Sequence, residues 1–88
     1  MGRGRSATSA PQWGVPTRSA EARFITTLGA NLRRERIARG LTQERLAELA
    51  DLNPRTVQKI EAGDITILVT TLQRLRAALG CEWKRLLG

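Results

Sequence analysis

An 88-residue chain carries fifteen Lys and Arg against eight Asp and Glu, a net charge of +7 and a pI near 11.5. That size holds one small domain with a marginal core, so a partner subunit is expected, and the charge favours polyanions, nucleic acid before anionic membrane. Histidine is absent, which excludes histidine-based acid–base and metal chemistry, and the single Cys81 excludes an intrachain disulfide and fits a reducing compartment. No apolar run approaches the roughly 18 residues needed to span a bilayer, and no apolar secretory segment opens the chain. Thirteen of the fifteen basic residues are Arg, so a solvated surface in an arginine-rich proteome is the alternative reading of the charge.

Residues 1–18 read as a flexible basic arm and 19–88 as the domain. Met1 to Thr17 is rich in Gly, Ser, Ala and Pro, has no apolar periodicity, and carries Arg3 and Arg5, with Arg18 just beyond. Such an arm can enter a DNA minor groove, although diffuse attraction to phosphates is the default expectation. Pro11, Gly14 and Pro16 break any amphipathic transit-peptide helix. Trp13 is left open between docking on the domain and remaining loose.

Thr17 or Ser19 can cap a first helix running to about Arg39, with Gly40 as its stop. Its apolar stripe is Phe24, Ile25, Leu28 and Leu32, extended by Ile37. Arg33, Arg34, Arg36 and Arg39 crowd the other side. Thr42 caps a second helix, which has Glu44 in its first turn and apolar positions at Leu46, Ala47, Leu49 and Ala50. Asn53-Pro54, an N-cap followed by proline at the first helical position, starts a third helix running to Ala62. On it Val57, Ile60 and Glu61 share one face, and Arg55, Gln58, Lys59 and Ala62 the opposite one. The β-branched run from Asp64 to Thr71 favours a strand by propensity. The helical spacing of Leu68, Leu72, Leu75 and Leu79, closed by Gly80, overrides it and predicts a helix from Leu68 to Leu79. Cys81 to Leu87 makes a last short helix, with Trp83, Leu86 and Leu87 on one face.

The stretch GLTQERLAELADLNPRTVQKIEAG, Gly40 to Gly63, resembles the helix-turn-helix of the phage repressor/Cro-type (XRE) DNA-binding family. The similarity extends from about Leu28 to Leu87. It implies an all-α, five-helix lambda-repressor-like domain. It further implies that the third helix enters a DNA major groove, with Pro54, Arg55 and Lys59 at base-reading positions and Gln58 beside them. Arg55 is favoured for guanine, since Arg bidentate to O6/N7 is the commonest specific contact, whereas Pro54 gives up a hydrogen bond. Gln43 matches the family glutamine that binds phosphate and props the reading helix. Thr42 is mainly a cap, Asn53 caps the reading helix at its DNA end, and Thr56 is a further phosphate contact. Arg36 and Glu61 match a pair that acts as a structural clamp.

Three positions depart from the family pattern. Asp51 replaces the glycine of the turn and must take φ > 0. Arg76 replaces a small residue in the Leu72–Leu75–Leu79 stripe, so its head either snorkels to water or meets an acid across a dimer interface. Leu68 stands where Ser or Thr is usual, leaving Thr66 as a possible cap. Cys81 reads as a small buried hydrophobe, and Trp83 as core or dimer contact.

The resulting expectation is a sequence-specific transcriptional regulator, a repressor, acting in the cytoplasm as a homodimer on a palindromic operator. Trp83 to Leu87 is its dimer contact. No cofactor is required. The alternatives are an antitoxin that binds a toxin, a restriction–modification controller, and an interaction module without DNA binding. No nucleophile–base pair or metal cluster can be assembled from these residues, which argues against an enzyme.

Overall fold

The computed structural model describes residues 17–88, and the features read in the arm before Thr17 lie outside them. Five helices follow: α1 (Arg18–Ala38), α2 (Gln43–Ala50), α3 (Pro54–Glu61), α4 (Val69–Leu79) and α5 (Trp83–Leu87). Among the described residues there is no strand.

The helix starts follow local chemistry. Thr17 Oγ1 accepts from the Ala20 amide at 3.1 Å, so Thr17 rather than Ser19 is the first cap. Thr42 Oγ1 accepts from Arg45 N at 2.9 Å, and Asn53 Oδ1 from Arg55 N at 2.8 Å. α4 begins on Leu68 with no side-chain cap, so Thr66 does not supply one. Its β-branched start joins the helix because Leu75 and Leu79 are buried in the common core. α5 starts two residues later than expected, and Cys81 is buried ahead of it.

The core joins Leu28 and Leu32 of α1 to Leu46, Ala47 and Ala50 of α2, Val57 and Ile60 of α3, Leu75 and Leu79 of α4, and Cys81 and Leu86. Three apolar residues expected in stripes are exposed instead. Phe24 lies on the α1 stripe but at 54% exposure, one turn before the helix reaches its buried stretch. Ile37 is equally exposed, because the buried line runs Leu28, Leu32, Glu35 and leaves residue 37 to one side. Leu49 sits beside the Leu46–Ala50 line and faces water.

Gly29 sets how closely α1 meets the end of α3. A Cβ there would fall well inside contact distance of the Ile60 carbonyl oxygen and 3.0 Å from that of Glu61. Only glycine lets the two backbones approach so closely. At the other end, Asn31 Nδ2 donates to Leu86 O at 2.8 Å and Arg34 Nη2 to Arg85 O at 2.6 Å, docking α5 on α1.

Candidate nucleic-acid interface

α2 and α3 form the helix-turn-helix unit. Their turn passes through Asp51 in the left-handed conformation, φ 57° and ψ 53°, and the Leu52 amide donates to Ala47 O at 2.8 Å. An aspartate can hold that conformation at modest cost, so the turn keeps its shape without glycine.

α3 divides sharply. Val57 and Ile60 are buried, whereas Pro54, Arg55, Gln58, Lys59 and Ala62 are exposed along the opposite side. Thr56 is half-buried between the two faces. Among the described residues, Arg55 and Lys59 side chains make no hydrogen bond or ion pair, so their donors are free.

Behind α3, Glu61 is gripped by α1. Arg36 Nε donates to Glu61 Oε2 at 2.7 Å and Arg36 Nη2 to Oε1 at 3.1 Å, with side-chain exposures of 11% and 4%. Arg36 Nη1 also donates to Leu41 O at 2.7 Å, tying in the loop before α2. Gln43 Nε2 donates to Glu61 Oε1 at 3.0 Å. Three elements therefore converge on one carboxylate. It holds the start of α2 and the end of α3 in a constant relation to α1.

The eight implied DNA-binding residues fall around two shallow clefts on either side of the α2 start. Thr42 and Pro54 line one, of 580 Å³, together with Glu44 and Glu48. Gln43 and Gln58 line the other, of 400 Å³, with Arg33, Arg36, Glu61 and Ala62. Carboxylates flank the first cleft. The free cations Arg55 and Lys59 lie on α3 itself. The oxygens of Thr42 and Asn53 are engaged by their caps, leaving the Thr42 hydroxyl hydrogen and the Asn53 amide NH₂ to donate outward.

A helix whose apolar side is buried and whose basic side stands free, braced from behind by an ion pair, is the arrangement of a groove-reading helix. The helix-turn-helix family model matches residues 32–86, spanning this unit and the helices that support it. The chain belongs to the helix-turn-helix family of DNA-binding transcriptional regulators.

Solved structures agree in fold. The restriction-modification controller protein C.AhdI from Aeromonas hydrophila is 34% identical, with 70% of this chain and 94% of that one covered and a TM-score of 0.68. A hypothetical transcription factor, NHTF, from Neisseria is 26% identical over 91% of this chain and 87% of its own, with a TM-score of 0.71. No curated protein matches the sequence.

One polar centre of this regulator escaped the sequence reading. Glu35 is 3% exposed, yet receives Arg39 Nη1 at 2.9 Å and Arg34 Nε at 3.2 Å, with Arg85 Nε at 3.7 Å. The hydrogen bond from Arg39 is the chief influence holding its carboxyl below the usual glutamate range; burial opposes it, while Arg34 and the charges of Arg85 and Arg39 reinforce it. Arg39 also donates through Nε to Leu79 O at the end of α4. The available signal was positional. Leu28, Asn31, Leu32 and Glu35 are spaced i, i+3, i+4, i+7, so the polar pair continues the buried stripe. Arg76 likewise goes elsewhere than expected: Nη1 donates to Cys81 O at 3.2 Å and its guanidinium lies 5.0 Å from the Trp83 ring centroid. Its head is neither free in water nor paired with an acid, because the backbone before α5 and the indole capture it first.

Proposed function

We propose that the chain is a sequence-specific repressor that acts in the cytoplasm as a homodimer on a palindromic operator. Each subunit would place α3 in a major groove, with half-sites ~34 Å apart. The exposed Arg55–Gln58–Lys59 face carries the reading: Arg55 for guanine, Gln58 and Lys59 for neighbouring base edges or phosphates, and Gln43, Thr42, Asn53 and Thr56 for register on the backbone. Pro54 contributes shape but no hydrogen bond. A code that thin argues for two half-sites.

The second subunit has a candidate seat. Phe24, Ile25, Ile67, Val69, Leu72 and Leu87 converge on an apolar groove of 690 Å³, and Val69 is 76% exposed at its edge. Its only charged lining residue is Glu21, so no cation in the groove repels a like-charged copy. Leu87 belongs to α5, and the contact therefore includes the end of that helix while leaving Trp83 to Arg76.

The test is selection from a randomised duplex pool followed by sequencing. A two-fold symmetric motif with a steep salt dependence is expected. Absence of any enriched motif at low salt would sink the proposal. Sedimentation of wild type and Val69→Glu addresses the dimer: a wild-type monomer at micromolar concentration would remove that part.

A second reading, control of a restriction–modification system, is favoured by the 34% identity to C.AhdI over 94% of that chain. Restriction endonuclease and methyltransferase genes beside this one, with the selected motif upstream of them, would establish it. Their absence would leave the simple repressor.

A further inference from the structure

We infer that Arg33, on α1 and outside the helix-turn-helix, is a contact to the DNA sugar–phosphate backbone. The inference rests on the DNA-binding reading above. Four arginines, Arg33, Arg34, Arg36 and Arg39, crowd the second half of α1, and the fold sorts them. Arg34 is spent on Asn31 Oδ1 at 3.0 Å, Glu35 and the Arg85 carbonyl. Arg36 is spent on Glu61 and the Leu41 carbonyl. Arg39 is spent on Glu35 and the Leu79 carbonyl. Arg33 alone of the four is exposed with no hydrogen bond or ion pair among the described residues.

Its position gives that free charge a direction. Arg33 lines the 400 Å³ cleft between α1 and the helix-turn-helix, together with Gln43, Gln58 and Ala62. The other two charges in the cleft, Arg36 and Glu61, neutralise each other. Arg33 is therefore the cleft's unbalanced charge, and it stands beside the two glutamines already placed at the proposed interface. A phosphate approaching α3 on this side meets a guanidinium fork from α1 and an amide from Gln58. The opposite cleft, beside Thr42, carries Glu44 and Glu48 instead and offers no such site. Because α1 does not enter a groove, the contact positions the protein without reading sequence.

The test is fluorescence anisotropy with a mixed-sequence 30-base-pair duplex, titrated across a series from 50 to 200 mM salt. The proteins are wild type, Arg33→Ala, Arg33→Lys and, as an equal change in charge away from the cleft, Arg23→Ala. Loss of one phosphate contact lowers the slope of log K against log salt by ~0.9, so across that range Arg33→Ala should lose about 3.5-fold less affinity than wild type. Arg33→Lys should keep most of the slope, Arg23→Ala should match wild type, and the motif selected from a randomised pool should be unchanged in Arg33→Ala. Wild-type binding with an unaltered slope in Arg33→Ala would overturn the inference and leave the DNA-binding reading standing. Equal losses in Arg33→Ala and Arg23→Ala would overturn it in favour of diffuse charge. A wild type that binds no duplex at any salt would overturn both. Since Arg33 holds nothing in the fold, the variants should melt with wild type by circular dichroism, which keeps the comparison valid.

Discussion

Arg36 and Glu61, 25 positions apart in the chain, meet as a bidentate pair with only 4% of the glutamate side chain exposed. The pair fixes the end of the reading helix to α1, and Gln43 adds a third donor to the same carboxylate. Removing one partner of a buried pair leaves the other charge uncompensated, so Glu61→Ala should cost about 3–5 kcal/mol of stability in urea unfolding. A loss below about 1 kcal/mol would show that solvent screens the pair as it does a surface ion pair.

The Glu35 centre predicts a pH dependence. Its folded pKa is depressed, chiefly by the hydrogen bond from Arg39, so its contribution is fully present above the unfolded-state value near ~4.3. The contribution is lost as pH falls through the folded value, below that point. Urea midpoints of wild type should therefore drop more steeply than those of Glu35→Gln between pH 5 and the acid limit, and the two curves should run parallel above pH 6 to 7. Parallel curves throughout the acid range would mean that Glu35 titrates alike in both states.

Asp51 holds φ 57° where glycine would be unstrained, and its side chain is almost wholly solvated. Asp51→Gly should stabilise the protein by ~0.5 kcal/mol, the left-handed penalty of roughly 1 kcal/mol less the added chain entropy of glycine. Its 3.9 Å approach to Arg74 is too long and too exposed to reverse that sign. A lower thermal midpoint in Asp51→Gly would show that the aspartate stabilises the turn by a route outside backbone geometry.

Arg55 and Lys59 should separate into reading and anchoring. Arg55→Ala should lose about 1–3 kcal/mol on the selected operator and relax the motif at one position in each half-site, and a bare phosphate contact by Lys59 would instead weaken all sequences alike. Binding isotherms on the selected operator and on single-base variants decide between them. An unchanged motif in Arg55→Ala would remove Arg55 from the reading set.

The sequence by itself determined the helices and the division of α3. Caps at Thr42 and Asn53-Pro54, stops at Gly40 and Gly80 and the alternation of Val57 and Ile60 with Arg55, Gln58 and Lys59 are local patterns, and local hydrogen bonding and helical periodicity act within a turn or two. The family motif added the Arg36–Glu61 pairing, which no local rule contains. Other features required the assembled domain. Whether Phe24 and Ile37 are covered depends on how far neighbouring helices extend along α1. Glu35 is tolerable in the interior only because Arg39, Arg34 and Arg85 reach it, the last from α5. The fate of the α1 arginines is the sharpest case: four like residues within one stretch of helix are equivalent to the eye. Tertiary structure spends three on carboxylates and carbonyls and leaves Arg33 facing the cleft, because a guanidinium's role is set by which acceptors come within about 3 Å of its donors.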